Sequence, residues 1–472
     1  MMDQEFWDDK FHDECGIFGI YNKNNFNPAE MTYFGLYALQ HRGQESAGIA
    51  VNDNGTIIYH KEMGMVPEVF DDVIIRHLQG KVAIGHVRYS TAGESLKENA
   101  QPLVVKYTKG HMAVAHNGNL VNANQIRADL ETKGCIFQTT TDSEVIAALL
   151  SRERIKHHSI EDSLVEVMKQ VKGAYSLLVM TPHKLIAARD PLGMRPLCIG
   201  KKEDSYIFAS ETAALETVGA EFIRDVNPGE IVVVNEDNLR SIQTEVSEAS
   251  RMCIFEYIYF ARPDSVIDGA SVYEARLEAG KILAREFPVD ADLVIGVPDS
   301  GLVAALGYAR ESGIPYGEGL MKNRYIGRTF IQPSQGMREQ SVRLKLNPFR
   351  NQVEGKRIIL IDDSIVRGTT SKRIVKMLKD AGAKEVHMRI SSPPVKYPCY
   401  FGIDTPHRQH LIACHNTVEE IAETIGADTL QFLSIEGLKK TPIGARCGFC
   451  TACFDGNYPI KVSKEEKYES KL

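Results

Sequence analysis

Two stretches of the chain end an apolar run in residues suited to binding a phosphorylated sugar. In Ile358-Ile359-Leu360-Ile361-Asp362-Asp363-Ser364-Ile365-Val366-Arg367-Gly368-Thr369-Thr370, two carboxylates follow the run and a Gly-Thr-Thr turn opens a helix. Free N–H groups at a helix start, the helix dipole and two hydroxyls form a site for a phosphate dianion. Adjacent carboxylates just upstream can hold sugar hydroxyls or a magnesium ion, and the bland alternative is a turn with capping residues. Val297-Pro298-Asp299-Ser300-Gly301 is a weaker loop of the same kind, equally readable as a plain turn. Between them, Lys322 to Lys345 holds Lys322, Arg324, Arg328, Arg338, Arg343 and Lys345 against the single acid Glu339. Such an excess is either a solvated surface loop or a flexible lid that closes over an anion and excludes water.

The cysteines offer a second chemistry. There are nine, with Cys447, Cys450 and Cys453 at every third position and Cys15, Cys135, Cys198, Cys253, Cys399 and Cys414 scattered. The segment Met1 to Glu14 is acidic and has no apolar run, unlike a secretory signal. An intracellular, reducing setting is therefore expected, and the thiols read as ligands, nucleophiles or buried hydrophobes before disulfides. The closely spaced cysteines suit zinc or an iron–sulfur cluster, and spacing does not choose between them. Cys15 precedes the strand-like run Gly16-Ile17-Phe18-Gly19-Ile20 and, taken alone, reads as a buried structural cysteine. Polar motifs follow at His41-Arg42-Gly43-Gln44-Glu45-Ser46-Ala47-Gly48, Gly85-His86-Val87-Arg88-Tyr89-Ser90-Thr91, His116-Asn117-Gly118-Asn119-Leu120 and Thr140-Thr141-Asp142-Ser143-Glu144. Asn117-Gly118 by itself signals a hairpin turn.

These residues must be positioned by more than one core, because 472 residues correspond to about three ordinary domains or two large ones. Fifty-five basic against 62 acidic residues give a net charge of −7, which argues against a general nucleic-acid or membrane-surface binder. No apolar run reaches the roughly 18 residues of a membrane span, so a soluble chain is expected. From Cys15 to about Thr244, short apolar strands alternate with glycine-rich turns, as at Val82–Val87, Met112–Ala115, Ser176–Met180 and Ile231–Val234. Ser143–Leu150 has helical spacing, with Thr141 or Asp142 as its cap. The polar segment Glu236–Ser250 reads as a linker. After about Glu274 the pattern becomes strand, loop, helix: Asp292–Val297 then Leu302–Glu311 ending at Gly313, and Arg357–Ile361 then Ser371–Ala381 ending at Gly382. Runs apolar throughout suit strands buried on both faces of a parallel sheet, so a doubly wound α/β domain is expected. The charged end, Lys461 to Leu472, reads as mobile.

The segment Asp362 to Thr370 resembles the phosphoribosyl pyrophosphate signature of the type I phosphoribosyltransferases. By that resemblance Asp362 and Asp363 bind the ribose hydroxyls, and Ser364, Arg367, Gly368, Thr369 and Thr370 belong to the loop around the 5-phosphate. Asp299 and Ser300 lie in the family's pyrophosphate loop, with Ser300, Asp362 and Asp363 around Mg2+, and Lys322, Tyr325 and Arg328 in its mobile loop.

The polar motifs of the first half, taken together, resemble the class II glutamine amidotransferases, whose α+β N-terminal-nucleophile fold would span 15–244. The resemblance implies that Cys15 begins the mature chain, so that 1–14 is a propeptide removed autocatalytically. A free α-amine on Cys15 then serves as its base. Asn117 and the Gly118 N–H become the oxyanion donors, Arg88 pairs with the glutamine α-carboxylate and Asp142 with its α-ammonium. His41, His86 and His116 are expected to have packing roles.

Both halves together resemble the glutamine phosphoribosylpyrophosphate amidotransferases. One branch of these carries a [4Fe–4S] cluster in contexts that match Cys253, Cys399, Cys450 and Cys453 and leave Cys447 out. The match implies a linker over 245–273, a phosphoribosyltransferase domain over 274–445 and a cluster-bearing segment over 446–472. Glutamine would be hydrolysed at the first site and ammonia passed to the second, giving 5-phosphoribosylamine, glutamate and pyrophosphate in purine biosynthesis. It also implies a cytoplasmic homotetramer inhibited by purine nucleotides. The rival readings are another class II amidotransferase, which the Asp362–Thr370 signature disfavours, and a phosphoribosyl-pyrophosphate-sensing regulator, which would not need Cys15.

Overall fold

The computed structural model describes residues 15–89, 95–244, 250–323 and 346–462. Expectations for 1–14, Ser90, Thr91, Arg324, Tyr325, Arg328, Arg338, Glu339, Arg343 and Lys345 lie outside these, as does the charged end from 463.

Two antiparallel sheets make the first half. One has seven strands in the order Glu221–Asp225, Cys198–Lys202, Ser205–Ala209, Gly16–Tyr21, Val82–Arg88, Ser46–Asp53 and Thr56–Met63. The other has six: Leu239–Gln243, Glu230–Val234, Leu185–Arg189, Gly173–Met180, Gly110–Leu120 and Leu103–Tyr107. Strand Gly16–Tyr21 is buried along its whole length, and its two faces serve different layers. Ile17 and Tyr21 meet Ala113, Ala115, Leu178 and Val232 of the second sheet, whereas Phe18 and Ile20 pack beneath helix Pro28–Ala38. Helices Asp142–Lys156 and Ile160–Gln170 cover the far side of the second sheet. The result is a four-layer helix, sheet, sheet, helix sandwich.

The expected linker Glu236–Ser250 is corrected in part: Leu239–Gln243 is an edge strand in register with Glu230–Val234. It carries one apolar contact on each face, Leu239 against the core between the sheets and Ile242 against the helix side, so no alternating pattern marks it in the sequence. Asn117-Gly118 is likewise no turn, since both residues lie inside strand Gly110–Leu120, opposite Ser176 and Tyr175.

The second half is a parallel sheet ordered Leu293–Gly296, Arg357–Asp362, Glu385–Ile390 and Thr429–Phe432. Val294, Ile359 and Ile361 face helices Val272–Glu286 and Leu302–Ser312. Ile295, Ile358 and Leu360 face Thr369–Asp380 and Val418–Ile425. Both faces are covered, which is why these strands read as unbroken apolar runs. Between the halves, 250–273 is a buried, structured segment: strand Met252–Cys253, a π-helix at Glu256–Phe260 and the hairpin Val266–Ile267 with Ala270–Ser271. No described helix is long and apolar enough to cross a membrane.

Candidate active site

Side chains alternate along a strand, so Cys15 shares the inward face of Ile17, and Asn117 shares the inward face of Ala113 and Ala115. Cys15 and Asn117 therefore stand on the facing surfaces of the two sheets. The Cys15 thiol is buried, 3.5 Å from the Tyr89 carbonyl oxygen. Burial pushes it up to about 11, against the pull of that contact and of Arg88, while Asp142 and Glu45 add to the rise. Asn117 is 1% exposed, and its amide nitrogen has no hydrogen-bond acceptor among the described residues. A buried donor left without a partner costs about 1–3 kcal/mol, so it is poised for an acceptor that enters the site. Gly118 adopts φ +146°, and a Cβ there would stand 2.0 Å from the Ala174 carbonyl oxygen. Only glycine lets the strands close at this point.

Arg88 ends strand Val82–Arg88 and is buried, 3.9 Å from a Glu45 carboxylate oxygen. Asp142 opens helix Asp142–Lys156, where its carboxylate accepts from the Leu120 N–H at 2.9 Å and lies 3.5 Å from His116 Nδ1. Burial raises Asp142, but His116, the Leu120 N–H and the Ser143 hydroxyl outweigh it, leaving the carboxyl below its usual value. The histidines expected to pack do more than that. His41 Nε2 lies 2.7 Å from Glu211, His86 Nε2 lies 3.0 Å from the His116 carbonyl oxygen, and His116 Nδ1 lies 3.1 Å from the Ser143 hydroxyl.

At the other end of the molecule, strand Arg357–Asp362 delivers Asp362 and Asp363 to the C-terminal edge of the parallel sheet, where ligands of open α/β folds bind. Asp362 Oδ1 accepts from the Asp363 N–H at 2.9 Å. The Asp363 oxygens accept from Ser300 at 2.5 Å and Ser364 at 2.7 Å. Gly368, in the left-handed region at φ +84°, turns the chain into helix Thr369–Asp380. That helix begins two residues before the expected Ser371, leaving Thr369 exposed and Thr370 half-buried in its first turn. Lys322 Nζ lies 2.6 Å from Asp299, so the root of the basic segment reaches the first loop. Arg367, just before Gly368, is half-buried.

Four thiols from distant segments line one pocket: Cys253, Cys399, Cys450 and Cys453, with Arg195 and Tyr458 at its wall. Strands Met252–Cys253 and Phe449–Cys450 pair in parallel and set Cys253 opposite Cys450. The Lys396 and Tyr397 N–H groups donate to the Cys453 carbonyl and fix the stretch leading to Cys399. Burial pushes Cys450 up to about 12 and Cys453 well above its usual value, where Cys450, Cys253 and Cys399 add to the rise. Cys447 does not line this pocket and instead faces Asp268. Among the described residues no three potential ligands close on a point that a single ion would fill. The four thiols of one pocket are a donor set that suits zinc and an iron–sulfur cluster alike.

A further buried ionic group has no spacing signal in the chain. Arg42 donates to Glu211 at 2.6 Å and to both oxygens of Glu256 at 2.9 and 2.6 Å, and its Nε donates to the Cys15 carbonyl at 3.1 Å. Arg42 stands in the quoted His41-Arg42-Gly43 motif, but Glu211 and Glu256 lie far from it in the chain and only the fold brings them to it.

A glutamine amidotransferase family model matches residues 86–217, and a phosphoribosyl transferase family model matches 275–391. The amidophosphoribosyltransferase of Archaeoglobus fulgidus is 54% identical over 96% of this chain and 99% of its own length. That of Bacillus subtilis is 51% identical over 96% of both chains. Among solved structures, the B. subtilis glutamine phosphoribosylpyrophosphate amidotransferase complexed with ADP and GMP superposes with a TM-score of 0.89, at 50% identity over 96% of this chain and 98% of its own. A structure described as the allosteric regulatory enzyme of purine biosynthesis gives 0.91, at 50% identity over 97% of this chain and 99% of its own.

Proposed function

The chain belongs to the amidophosphoribosyltransferases, enzymes of purine biosynthesis that convert glutamine, phosphoribosyl pyrophosphate and water to 5-phosphoribosylamine, glutamate and pyrophosphate, and from that footing we propose how its own residues divide the work. Cys15 is the nucleophile of a glutaminase spanning 15–244. Its α-amine, freed by removal of 1–14, takes the thiol proton, which matters because the buried thiol otherwise holds that proton up to about pH 11. The thiolate attacks the glutamine side-chain amide, and the Asn117 amide with the Gly118 N–H receives the oxyanion. Arg88 pairs with the α-carboxylate of glutamine. Asp142, held ionised, pairs with the α-ammonium.

The released ammonia passes through a sheltered channel to the phosphoribosyl site in 274–445. There Asp362 and Asp363 hold the ribose hydroxyls, and Ser364, Arg367, Gly368, Thr369 and Thr370 hold the 5-phosphate. Asp299 and Ser300 bind the pyrophosphate side, with Lys322, Tyr325 and Arg328 closing over it. Ammonia displaces pyrophosphate from C1, a step that depends on positioning and charge neutralisation. Ser300, Asp362 and Asp363 fit a magnesium ion, which uses one or two carboxylates together with substrate phosphates rather than an all-protein cage. Bound there, the ion would neutralise charge on the departing pyrophosphate.

Cys253, Cys399, Cys450 and Cys453 fit a [4Fe–4S] cluster in 446–472 and its neighbours. The cluster would supply a structural clamp between distant segments, since the reaction moves no electrons between substrates. Purine nucleotides are the feedback inhibitors, and the enzyme is a cytoplasmic homotetramer.

The orphaned Asn117 amide, set on the face opposite Cys15, carries the glutaminase half of this reading. An intact mass of denatured wild-type protein beside Cys15→Ala tests it. A wild-type chain that starts at Cys15, with the variant still carrying 1–14, is expected. An active wild type that retains 1–14 would overturn the amine-assisted mechanism.

A further inference from the structure

The Cys15 backbone carbonyl is gripped by Arg42 Nε at 3.1 Å. Arg42 cannot set that grip alone, because its guanidinium is itself held by two carboxylates. Glu211 belongs to the same half, and its second oxygen is occupied by the Arg262 N–H at 2.9 Å and the Ser265 hydroxyl at 2.6 Å. Glu256 stands on the π-helix Glu256–Phe260 of the connecting segment and takes Arg42 in a two-pronged fork. Arg42, Glu211 and Glu256 all have side chains at most 1% exposed. At that burial a fork–fork pair acts as a rigid joint, since neither partner has water to turn to.

Glu256 is anchored in turn from the other side. It lies three residues after Cys253. Its Oε1 is 3.8 Å from Arg195, which donates through Nε to the Phe401 carbonyl at 3.1 Å. The following turns of the segment are held from the phosphoribosyl half: Arg276 donates to the Tyr257, Tyr259 and Ala261 carbonyls at 3.0, 3.0 and 2.7 Å. A continuous set of hydrogen bonds thus runs from the nucleophile's backbone through Arg42 and Glu256 to the segment between the two sites.

We propose that Glu256 is a positioning residue for the glutaminase reaction, fixing the Cys15 backbone through Arg42 from outside the glutaminase half. The proposal rests on Cys15 being the nucleophile. Glu256 touches neither glutamine nor the reacting thiol. Its influence is therefore on the geometry of attack and falls on kcat, while Arg88 and Asp142 keep the affinity for glutamine.

The test uses the full enzyme with glutamine or ammonia as nitrogen donor, reading glutamate and pyrophosphate release. Glu256→Gln keeps the shape and removes the charge that fastens Arg42. Its kcat for glutamine hydrolysis should fall at least about tenfold, with KM for glutamine and ammonia-dependent pyrophosphate release both within about twofold of wild type. Arg42→Lys keeps the charge but loses the fork and should give the same split. The double variant should be no worse than about twofold below the weaker single one, as expected of two residues acting in one chain. If Glu256→Gln is not recovered as folded protein, Glu256→Asp, which keeps the charge and shortens the reach to Arg42, decides by the same split. Unchanged glutaminase turnover, an equal fall with both donors, or effects that multiply in the double variant would each overturn the proposal. Cys15→Ala, assayed alongside, separates the two readings. If it still hydrolyses glutamine, the nucleophile assignment is wrong; if it is inactive while Glu256→Gln is unaffected, only the positioning role is wrong.

Discussion

The Ser300 hydroxyl donates a 2.5 Å hydrogen bond to Asp363 Oδ1, across 63 residues of chain. The bond ties the Val297–Gly301 loop to the carboxylate pair at the end of the neighbouring strand. The two loops proposed to bracket phosphoribosyl pyrophosphate are thereby held at a set separation.

Ser300→Ala releases that tie. Losing a hydrogen bond to a charged group costs about 2 kcal/mol, so kcat/KM for phosphoribosyl pyrophosphate should drop roughly 30-fold. Because the defect lies at the shared second site, steady-state assays should find the same loss with glutamine and with ammonia. A loss confined to glutamine would place Ser300 outside that site.

Asn117→Ala and Asp142→Asn should separate kinetically. Removing one oxyanion donor lowers kcat by about 10²–10³-fold with little change in KM. The proposed contact of Asp142 with the glutamine α-ammonium is the same in ground and transition states, so Asp142→Asn should raise KM for glutamine by roughly 30-fold with kcat largely kept, given about 2 kcal/mol for a charged hydrogen bond. Glutaminase kinetics on both variants check the split, and a KM effect at Asn117 would contradict the oxyanion role.

The Cys15 thiol in a chain that retains 1–14 should be slow to alkylate at neutral pH. With its proton held up to about 11, chiefly by burial, only roughly one molecule in a thousand is thiolate at pH 8. Labelling by iodoacetamide, followed by peptide mass, should therefore quicken about tenfold per pH unit between pH 8 and 10. A rate already level at pH 8 would mean that the thiol is activated without a free α-amine.

Cys399→Ser and Cys453→Ser should lose bound iron and acid-labile sulfide, and the lost metal linkage should lower Tm by a few degrees. Cys447→Ser should keep both, since Cys447 stands outside the thiol pocket. Iron analysis and calorimetry on the three variants decide it.

Much of this architecture is legible before any coordinates. The run Ile358–Ile361 ending in Asp362-Asp363 fixes a buried strand, a loop and a helix start within a few residues of where they stand, because both the apolar period and the cap are local signals. Leu239–Gln243 is not legible, because an edge strand with a solvated face carries too few apolar residues to stand out. Asn117-Gly118 misleads for a related reason. A glycine at positive φ serves a turn and a crowded strand equally well, and only the neighbouring Ala174 carbonyl shows which is meant.

The sequence by itself determined the two kinds of half, the order in which they follow and the side chains with reactive chemistry, since each depends on residue type and short-range spacing. The tertiary structure alone decided that Cys253, Cys399, Cys450 and Cys453 share one pocket and that Cys447 does not. It also decided that Arg42 is held by a carboxylate of the connecting segment. Such juxtapositions depend on how distant segments pack, and a buried Arg42 drawn to Glu211 and Glu256 leaves no periodic trace in the chain, because desolvated charges pair wherever the fold brings them together.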